Sequence, residues 1–291
     1  EAFGDIATQA SAARERAQAA TGRRLSPGEV SSHFSTRAVD AIIERHESLR
    51  TTFAMVDDAP VQMVADRGAI VVPVHEFTGD APVAERHQRA REAADGCCQR
   101  PFDLARGPLL RVEVFRLGVA EHLVAVVMHH IVSDGWSLSV FVREMTELYR
   151  AYQSDPNGDS ADLPPLPIQY ADYAEWQREW LSPETLSQQL DFWRDHLDGA
   201  PSVLELPFDR PRPALKRFRG RSLEFTIPNP MTERVARLCQ QTKTTPFMLL
   251  LGVYAVLLAR YSRQRDLVVG TPIANRNRAE LAPLIGFFVN T

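Results

Sequence analysis

Residues 128–137 read Met-His-His-Ile-Val-Ser-Asp-Gly-Trp-Ser. Glu121–Met128, just before them, is a nearly continuous apolar run, and Leu138, Phe141, Val142, Met145, Leu148 and Tyr152 recur at helical spacing after them. A short run that is apolar on both sides fits a strand in the middle of a covered sheet. The recurrence at three and four residues fits a helix from about Ser137 to Tyr152. The decapeptide therefore lies where a buried strand hands over to a helix. Upstream, Leu110–Leu117 alternates in and out, and Gly118–Ala120 reads as the turn of a hairpin joining the two strands.

Further out, Val39, Ile42, Ile43 and Leu49 mark an amphipathic helix over 37–49. Two β-rich runs follow at 51–56 and 61–66, split by the turn composition Asp57–Pro60, with a third candidate strand at Ala69–Val74 and a helix over 81–100. Ser154–Pro167 contains Asp-Pro-Asn-Gly and Leu-Pro-Pro-Leu-Pro. Proline stiffens such a stretch and removes hydrogen-bond donors, so it reads as a linker. Beyond it the pattern predicts helices at 169–181 and 184–198, a strand at Arg221–Ile227, a helix at Met231–Gln241, a long buried helix at Pro246–Tyr261 and a strand at Asp266–Gly270. The expected division is an atypical segment at 1–36, a lobe at 37–153, the linker at 154–168 and a second lobe at 169–291. Strands and helices alternate on both sides of the linker, so the fold class is α/β (α+β) with two lobes.

Composition narrows the function. The chain is 44% hydrophobic and 24% charged with a net charge of −4 and both signs interspersed. That balance is globular and gives no basic surface for nucleic acid or an anionic membrane. Leu123–Met128 and Phe247–Leu258 are too short or too interrupted to span a bilayer. No basic segment followed by an apolar run opens the chain, so no secretory signal is expected. Cys97, Cys98 and Cys239 form no CxxC or Cys/His pair. They read as reduced thiols of a cytoplasmic protein.

The motif admits four chemical readings. His129 and His130 could simply cap a strand end. Two histidines and a carboxylate are a known ligand set for an open metal site. However, successive side chains on a strand point to opposite faces, which keeps the two rings from one ion. A His-assisted nucleophile has no support, because no G-x-S-x-G elbow is present and Cys97 and Cys98 sit in a charged helix. The fourth reading is acyl transfer without a covalent intermediate. One histidine projects from the strand end, Gly135 lets a substrate approach the backbone, and the amides at 135–137 lie near a helix start, where partial positive charge favours an oxyanion.

Here the sequence resembles the condensation-domain family of nonribosomal peptide synthetases, which shares its fold with chloramphenicol acetyltransferase. Residues 129–135 match its HHxxxDG signature. Arg45-His-Glu-Ser-Leu-Arg-Thr-Thr-Phe53 resembles its RHExLRTxF block, Tyr170-Ala-Asp-Tyr-Ala-Glu-Trp176 its YxDYAxW block, and Ile285-Gly-Phe-Phe-Val-Asn-Thr291 its IGxFVNT block. Pro101-Phe-Asp-Leu104 and Leu206–Arg212 resemble its connecting stretches. The opening SxAQxR-like block and the blocks after IGxFVNT are not found in these 291 residues, so the resemblance implies a domain truncated at both ends.

The resemblance implies two chloramphenicol-acetyltransferase-like lobes in a V, the second incomplete. It implies amide bond formation between a donor aminoacyl or peptidyl thioester and an acceptor aminoacyl thioester. Donor and acceptor carrier domains would be the partners, with an adenylation domain adjacent. The 4′-phosphopantetheine arms would belong to the carriers, and this chain would bind neither cofactor nor metal. His130 is the central residue implied, as a base or as a group that orients the amine, with His129, Asp134 and Gly135 completing the motif. In the relatives the motif Asp holds its loop through an ion pair with an arginine. The expected partner here lies in the Arg45–Phe53 block, Arg50 before Arg45. Trp136, Ser137, Arg45 and Asn290 are expected to support the motif. The Ser-Asp-Gly-Trp-Ser form resembles the subtype joining an L-donor to an L-acceptor. Two other functions fit the same fold: a stand-alone acyltransferase on a small acceptor, and a non-catalytic carrier-docking module.

Overall fold

The computed structural model describes residues 32–118, 121–154, 163–211 and 223–291. The atypical opening as far as residue 31, positions 155–162 of the expected linker, and the start of the strand expected at Arg221–Ile227 lie outside the described residues. The rest forms two compact units. One runs up to Trp180 and takes in Ile273–Asn290, and the other is Leu181–Pro272.

Among the described residues the first unit opens with helix α1 (Ser32–Arg45). His46 leaves helical geometry at φ −109°, and a single 3₁₀ turn covers Glu47–Arg50. The helix expected to reach residue 49 therefore breaks at His46. Strands β1 (Thr51–Val56) and β2 (Ala59–Val64) pair antiparallel. Asp57 and Asp58 take positive φ of 50° and 60°, as a two-residue hairpin connection with the right twist requires.

Strand β3 (Val74–Glu76), helix α2 (Val83–Gln99), strands β4 (Leu110–Arg116) and β5 (His122–Met128) and helix α3 (Gly135–Ser154) follow. The sheet order is β3-β4-β5, with β3 parallel and β5 antiparallel to β4. The strand that leads into the two histidines is therefore at the edge of this sheet among the described residues, and β4 is its centre. β5 is apolar from Leu123 to Met128 because both its faces are covered. Val126 and Met128 pack with Val39 and Ile42 of α1 and Phe141 of α3, whereas Ala125 and Val127 pack with Ala90 and Ala94 of α2. Burial of each large side chain in these layers contributes about 1.5–3 kcal/mol.

Helix α4 (Tyr170–Trp180) belongs to the first unit rather than to a second lobe beginning at 169. Tyr173 packs with Leu281, Leu284 and Phe288, and Gln169 bridges the Glu47 amide and the Arg45 carbonyl. These contacts carry the boundary from the proline-rich stretch to Trp180.

The second unit contains helices α5 (Pro183–His196), α6 (Asn229–Thr242) and α7 (Pro246–Ser262). The hydroxyls of Ser182 and Thr245 cap α5 and α7 by accepting from the amides of Thr185 and Met248. No strand forms here among the described residues, so residues 223–227 and 266–270 are not paired as expected. Helix α7 is apolar all round, the composition of a core helix. It nevertheless leaves Phe247 61%, Val253 58% and Tyr261 62% exposed, because the described part of this unit has no sheet to lay over it. No single described helix is long and apolar enough to cross a membrane; α6 and α7 pass that test only together, across a bend of 102°.

Candidate active site

β5 ends at Met128, and the His129 amide still bonds the carbonyl of Leu109 at 2.9 Å. A short 3₁₀ turn at His130–Val132 then sends the two imidazoles to different neighbours. His129 Nδ1 accepts from the Ile131 amide at 3.1 Å, and its ring meets the Phe102 ring edge-on at 6.0 Å. An accepting Nδ1 puts the proton of the neutral ring on Nε2. Burial, reinforced by the neighbouring His130, holds the His129 pKa below its ordinary value. His129 is thus a neutral cap of the turn. His130 is exposed, and its ring lies edge-to-face with Phe287 at a centroid distance of 5.0 Å.

Asp134 is the N-cap of α3. Its Oδ1 accepts from the Ser137 amide at 2.8 Å and lies 2.7 Å from the Ser137 hydroxyl. The same carboxylate meets Arg276 Nη2 at 3.1 and 3.3 Å, and Oδ2 accepts from the Phe288 amide at 3.1 Å. Arg276 Nη1 donates to the carbonyls of Leu281 and Leu284, and the guanidinium lies 4.0 Å over the Phe288 ring. Both members of the pair are buried, with 1% of the Arg276 side chain and 3% of the Asp134 side chain exposed. Burial pulls the Arg276 pKa below its ordinary value, while Asp134 opposes the shift. Asn275, just before, adopts φ 53°, a left-handed conformation that Asn tolerates, and turns the chain so that Arg276 enters this pocket.

The other side of the same segment is held by the block at 45–48. His46 Nε2 lies 2.8 Å from Glu144 Oε2, and its Nδ1 accepts from the Ile285 amide at 3.3 Å. The accepting Nδ1 assigns the proton to Nε2, which donates to Glu144. Burial outweighs Glu144 and keeps the His46 pKa lowered. Burial alone would raise Glu144, but the His46 bond and the nearby Arg45 hold its carboxyl below the usual range. Ser48 Oγ donates to the Ile285 carbonyl at 2.7 Å. Ser137 Oγ lies 2.8 Å from the Gly286 carbonyl and accepts from the Gly286 amide at 3.1 Å; its single proton serves Asp134 or Gly286, not both at once. Tyr170 Oη donates to the Phe287 carbonyl at 2.9 Å. The backbone of 285–288 is therefore fixed together from the turn that follows α1, from the start of α3 and from α4. A Cβ on Gly286 would run into Tyr170 Cδ2, so this approach requires glycine.

Several expected site residues converge here. Asp134, Ser137 and Arg45 join the buried networks, and Trp136 Nε1 donates to the Ala282 carbonyl at 2.9 Å. Asn290 forms a bridge with Ile273 that sets the two chain segments flanking Arg276 side by side. A Cβ on Gly135 would meet nothing within 4 Å, so backbone approach is open there. Two expectations are corrected. Arg50 does not pair with Asp134: its guanidinium donates to the Ala65 carbonyl and meets Glu47, and Arg276 holds Asp134 instead. The Ser137 amide is committed to the Asp134 cap and is no donor for an oxyanion. Sequence reading missed Arg276 and the His46–Glu144 pair, and it gave no site role to Tyr170 and Phe287, which lie in recognised blocks. The histidine of the RHExLR block was on view, but nothing in the pattern joined it to a carboxylate 98 residues on.

An α/β unit whose strand end presents an exposed histidine, with the Asp four residues on locked by a buried arginine, carries the HHxxxDG pattern at residues 129–135. The chain belongs to the condensation-domain family, which it matches over residues 25–291. It is 42% identical over 255 residues to a component of the linear gramicidin synthase of Brevibacillus parabrevis, covering 88% of this chain and 5% of that protein. It is 45% identical over 255 residues to phosphinothricin tripeptide synthetase PhsB of Streptomyces viridochromogenes, covering 88% of this chain and 21% of that protein. Among solved structures, the complex of the X-domain and OxyB from teicoplanin biosynthesis shares the fold with a TM-score of 0.75 at 30% identity, covering 89% of this chain and 56% of that one. A four-domain nonribosomal peptide synthetase bound to AMP and glycine matches with a TM-score of 0.70 at 25% identity, covering 87% of this chain and 18% of that one. The chain thus spans only a small part of the curated relatives it matches.

Proposed function

We propose that this chain forms the amide bond of nonribosomal peptide synthesis, passing an aminoacyl or peptidyl group from a donor thioester to the α-amine of an acceptor aminoacyl thioester. The observation that carries the reading is the placement of His130, exposed at the end of a buried strand, with the Asp134–Arg276 pair below it fixing the turn. The acceptor nitrogen attacks the thioester carbonyl, the C–N bond forms, and the C–S bond breaks. The proton leaving nitrogen ends on the departing thiolate. A free α-amine titrates near 7.7–8.0, so a useful fraction is already neutral at neutral pH. His130 needs only to accept a hydrogen bond from that nitrogen and take its proton as the tetrahedral intermediate forms. Asp134 is spent on the cap and on Arg276, so it does not relay charge to the imidazole.

The substrates would arrive on the 4′-phosphopantetheine arms of donor and acceptor carrier domains, with an adenylation domain nearby. The multidomain relatives support this assignment. The Ser133-Asp134-Gly135-Trp136-Ser137 form supports an L-donor and L-acceptor subtype. The free thiols at Cys97, Cys98 and Cys239 fit a reducing cytoplasm. A docking role without turnover is the competing reading, favoured by the likeness to an X-domain captured in complex with a second protein. The deciding experiment supplies the synthetase containing this chain with loaded donor and acceptor carriers. Dipeptidyl thioester on the acceptor is expected; carrier binding with no transfer would establish docking instead.

A further inference from the structure

The imidazole of His130 is exposed, and among the described residues it packs against a ring rather than bonding a carboxylate or carbonyl: Phe287 lies edge-to-face with it at 5.0 Å and 83°. Without a hydrogen bond to one nitrogen, a histidine is free to rotate about its side-chain torsions, and the second nitrogen then sweeps through space. An edge-to-face aromatic contact restricts that rotation. Phe287 is suited to the task because its backbone is not free to move. Its carbonyl accepts from Tyr170 Oη, and the amides on either side, Gly286 and Phe288, are held by Ser137 and Asp134. The side chain, 41% exposed, leaves this fixed backbone toward His130 while its neighbour Phe288 points into the core.

We infer that Phe287 is a positioning residue: its ring sets the orientation of the His130 imidazole, and through it the geometry of amine attack. This rests on the reading of His130 as the group that meets the amine. The buried network at Asp134 and Arg276 therefore reaches the reaction through two routes, the α3 cap behind His130 and the 285–288 segment that aims Phe287. Misplacement of a reacting group by about 1 Å can cost 10²-fold in rate, so a lost ring contact has ample leverage.

The test is single-turnover transfer between loaded carriers in the full synthetase, comparing the parent, Phe287→Tyr, Phe287→Leu, Phe287→Ala, His130→Ala and the double variant His130→Ala/Phe287→Ala. Phe287→Tyr is expected to keep the rate and Phe287→Ala to lose about tenfold or more, with Phe287→Leu between them and the carrier concentration for half-maximal rate unchanged. In the His130→Ala background, Phe287→Ala is expected to cost nothing more, because its route to the reaction is gone. With histidine ring carbons labelled, Phe287→Leu should move the His130 resonances and leave those of His129 in place. A Phe287→Leu or Phe287→Ala enzyme as fast as the parent overturns the inference, as does an undiminished Phe287→Ala cost in the His130→Ala background. Unmoved His130 resonances overturn it too. If Phe287→Ala does not fold, the Tyr and Leu variants decide alone. A His130→Ala enzyme at parental rate would instead remove the functional reading beneath it.

Discussion

Arg276 Nη2 stands 3.1 Å from Asp134 Oδ1 across 142 residues of sequence, with both side chains buried. The pair joins the turn that presents His130 to the segment that carries Phe287. Each member also serves other partners: Asp134 caps α3, and Arg276 closes the loop at Leu281 and Leu284.

Removing one member orphans the other. Breaking a buried ion pair costs about 3–5 kcal/mol, and loss of an N-cap about 1 kcal/mol more. Asp134→Ala and Arg276→Ala should each lower stability strongly, and the double variant should lose less than their sum, because no lone charge remains. Arg50→Ala should combine additively with Asp134→Ala, since Arg50 bonds Ala65 and Glu47. Urea unfolding of these single and double variants measures this; coupling to Arg50 and additivity with Arg276 would reverse the assignment.

Much of this organisation is legible in the sequence. The hairpin of β4 and β5, α3 and the strand-to-helix turn between them follow from local periodicity and turn composition. Elements that depend on a distant partner do not. Residues 223–227 and 266–270 have strand composition but no ladder among the described residues, and α7 has the composition of a buried helix with an exposed surface. The Asp134 partner was expected at Arg50 rather than Arg276 for a similar reason. Arginines 45, 50, 276 and 278 look alike in a sequence, and only the left-handed turn at Asn275 and the chain path past Phe288 bring one of them to Asp134. The strand-end position of His130 was readable because its motif is contiguous; the ring beside it was not, because Phe287 lies 157 positions away (287 − 130).

Gly286 should not tolerate a side chain. A methyl there would run into Tyr170 Cδ2 and lie 2.8 Å from Phe288 Cε2, both parts of packed rings. Gly286→Ala is expected to cost about 1–3 kcal/mol, the usual range for overpacking, and to slow transfer by shifting Phe287. Tyr170→Ala in the same chain should recover part of the thermal midpoint. A Gly286→Ala protein as stable as the parent would show that the segment shifts freely.

Acid should loosen the clamp on Ile285. His46 is held neutral by burial, its pKa below the ordinary 6.5, and Glu144 is held ionised below its ordinary 4.5. In both cases the unfolded chain takes up protons first as the pH falls. The His46 contribution is complete above 6.5 and is lost progressively as the pH falls from there toward its depressed folded value; that of Glu144 is present above 4.5 and is lost below, through its own. His46→Gln has no proton to gain and should flatten the dependence of unfolding free energy on pH below neutrality, at a lower overall stability. Parallel curves for the two proteins, measured by urea unfolding across that range, would place the acid sensitivity elsewhere.

His130 carries the central claim, and one comparison addresses it: single-turnover transfer by the full synthetase with loaded carriers, parent against His130→Ala and His129→Ala. His130→Ala should lose about 10²-fold or more with its thermal midpoint kept, the scale of losing a general base or key positioning group. His129→Ala, which removes the acceptor for the Ile131 amide and the Phe102 contact, should act mainly on stability. A folded His130→Ala enzyme that transfers at the parental rate would contradict the role given to this histidine.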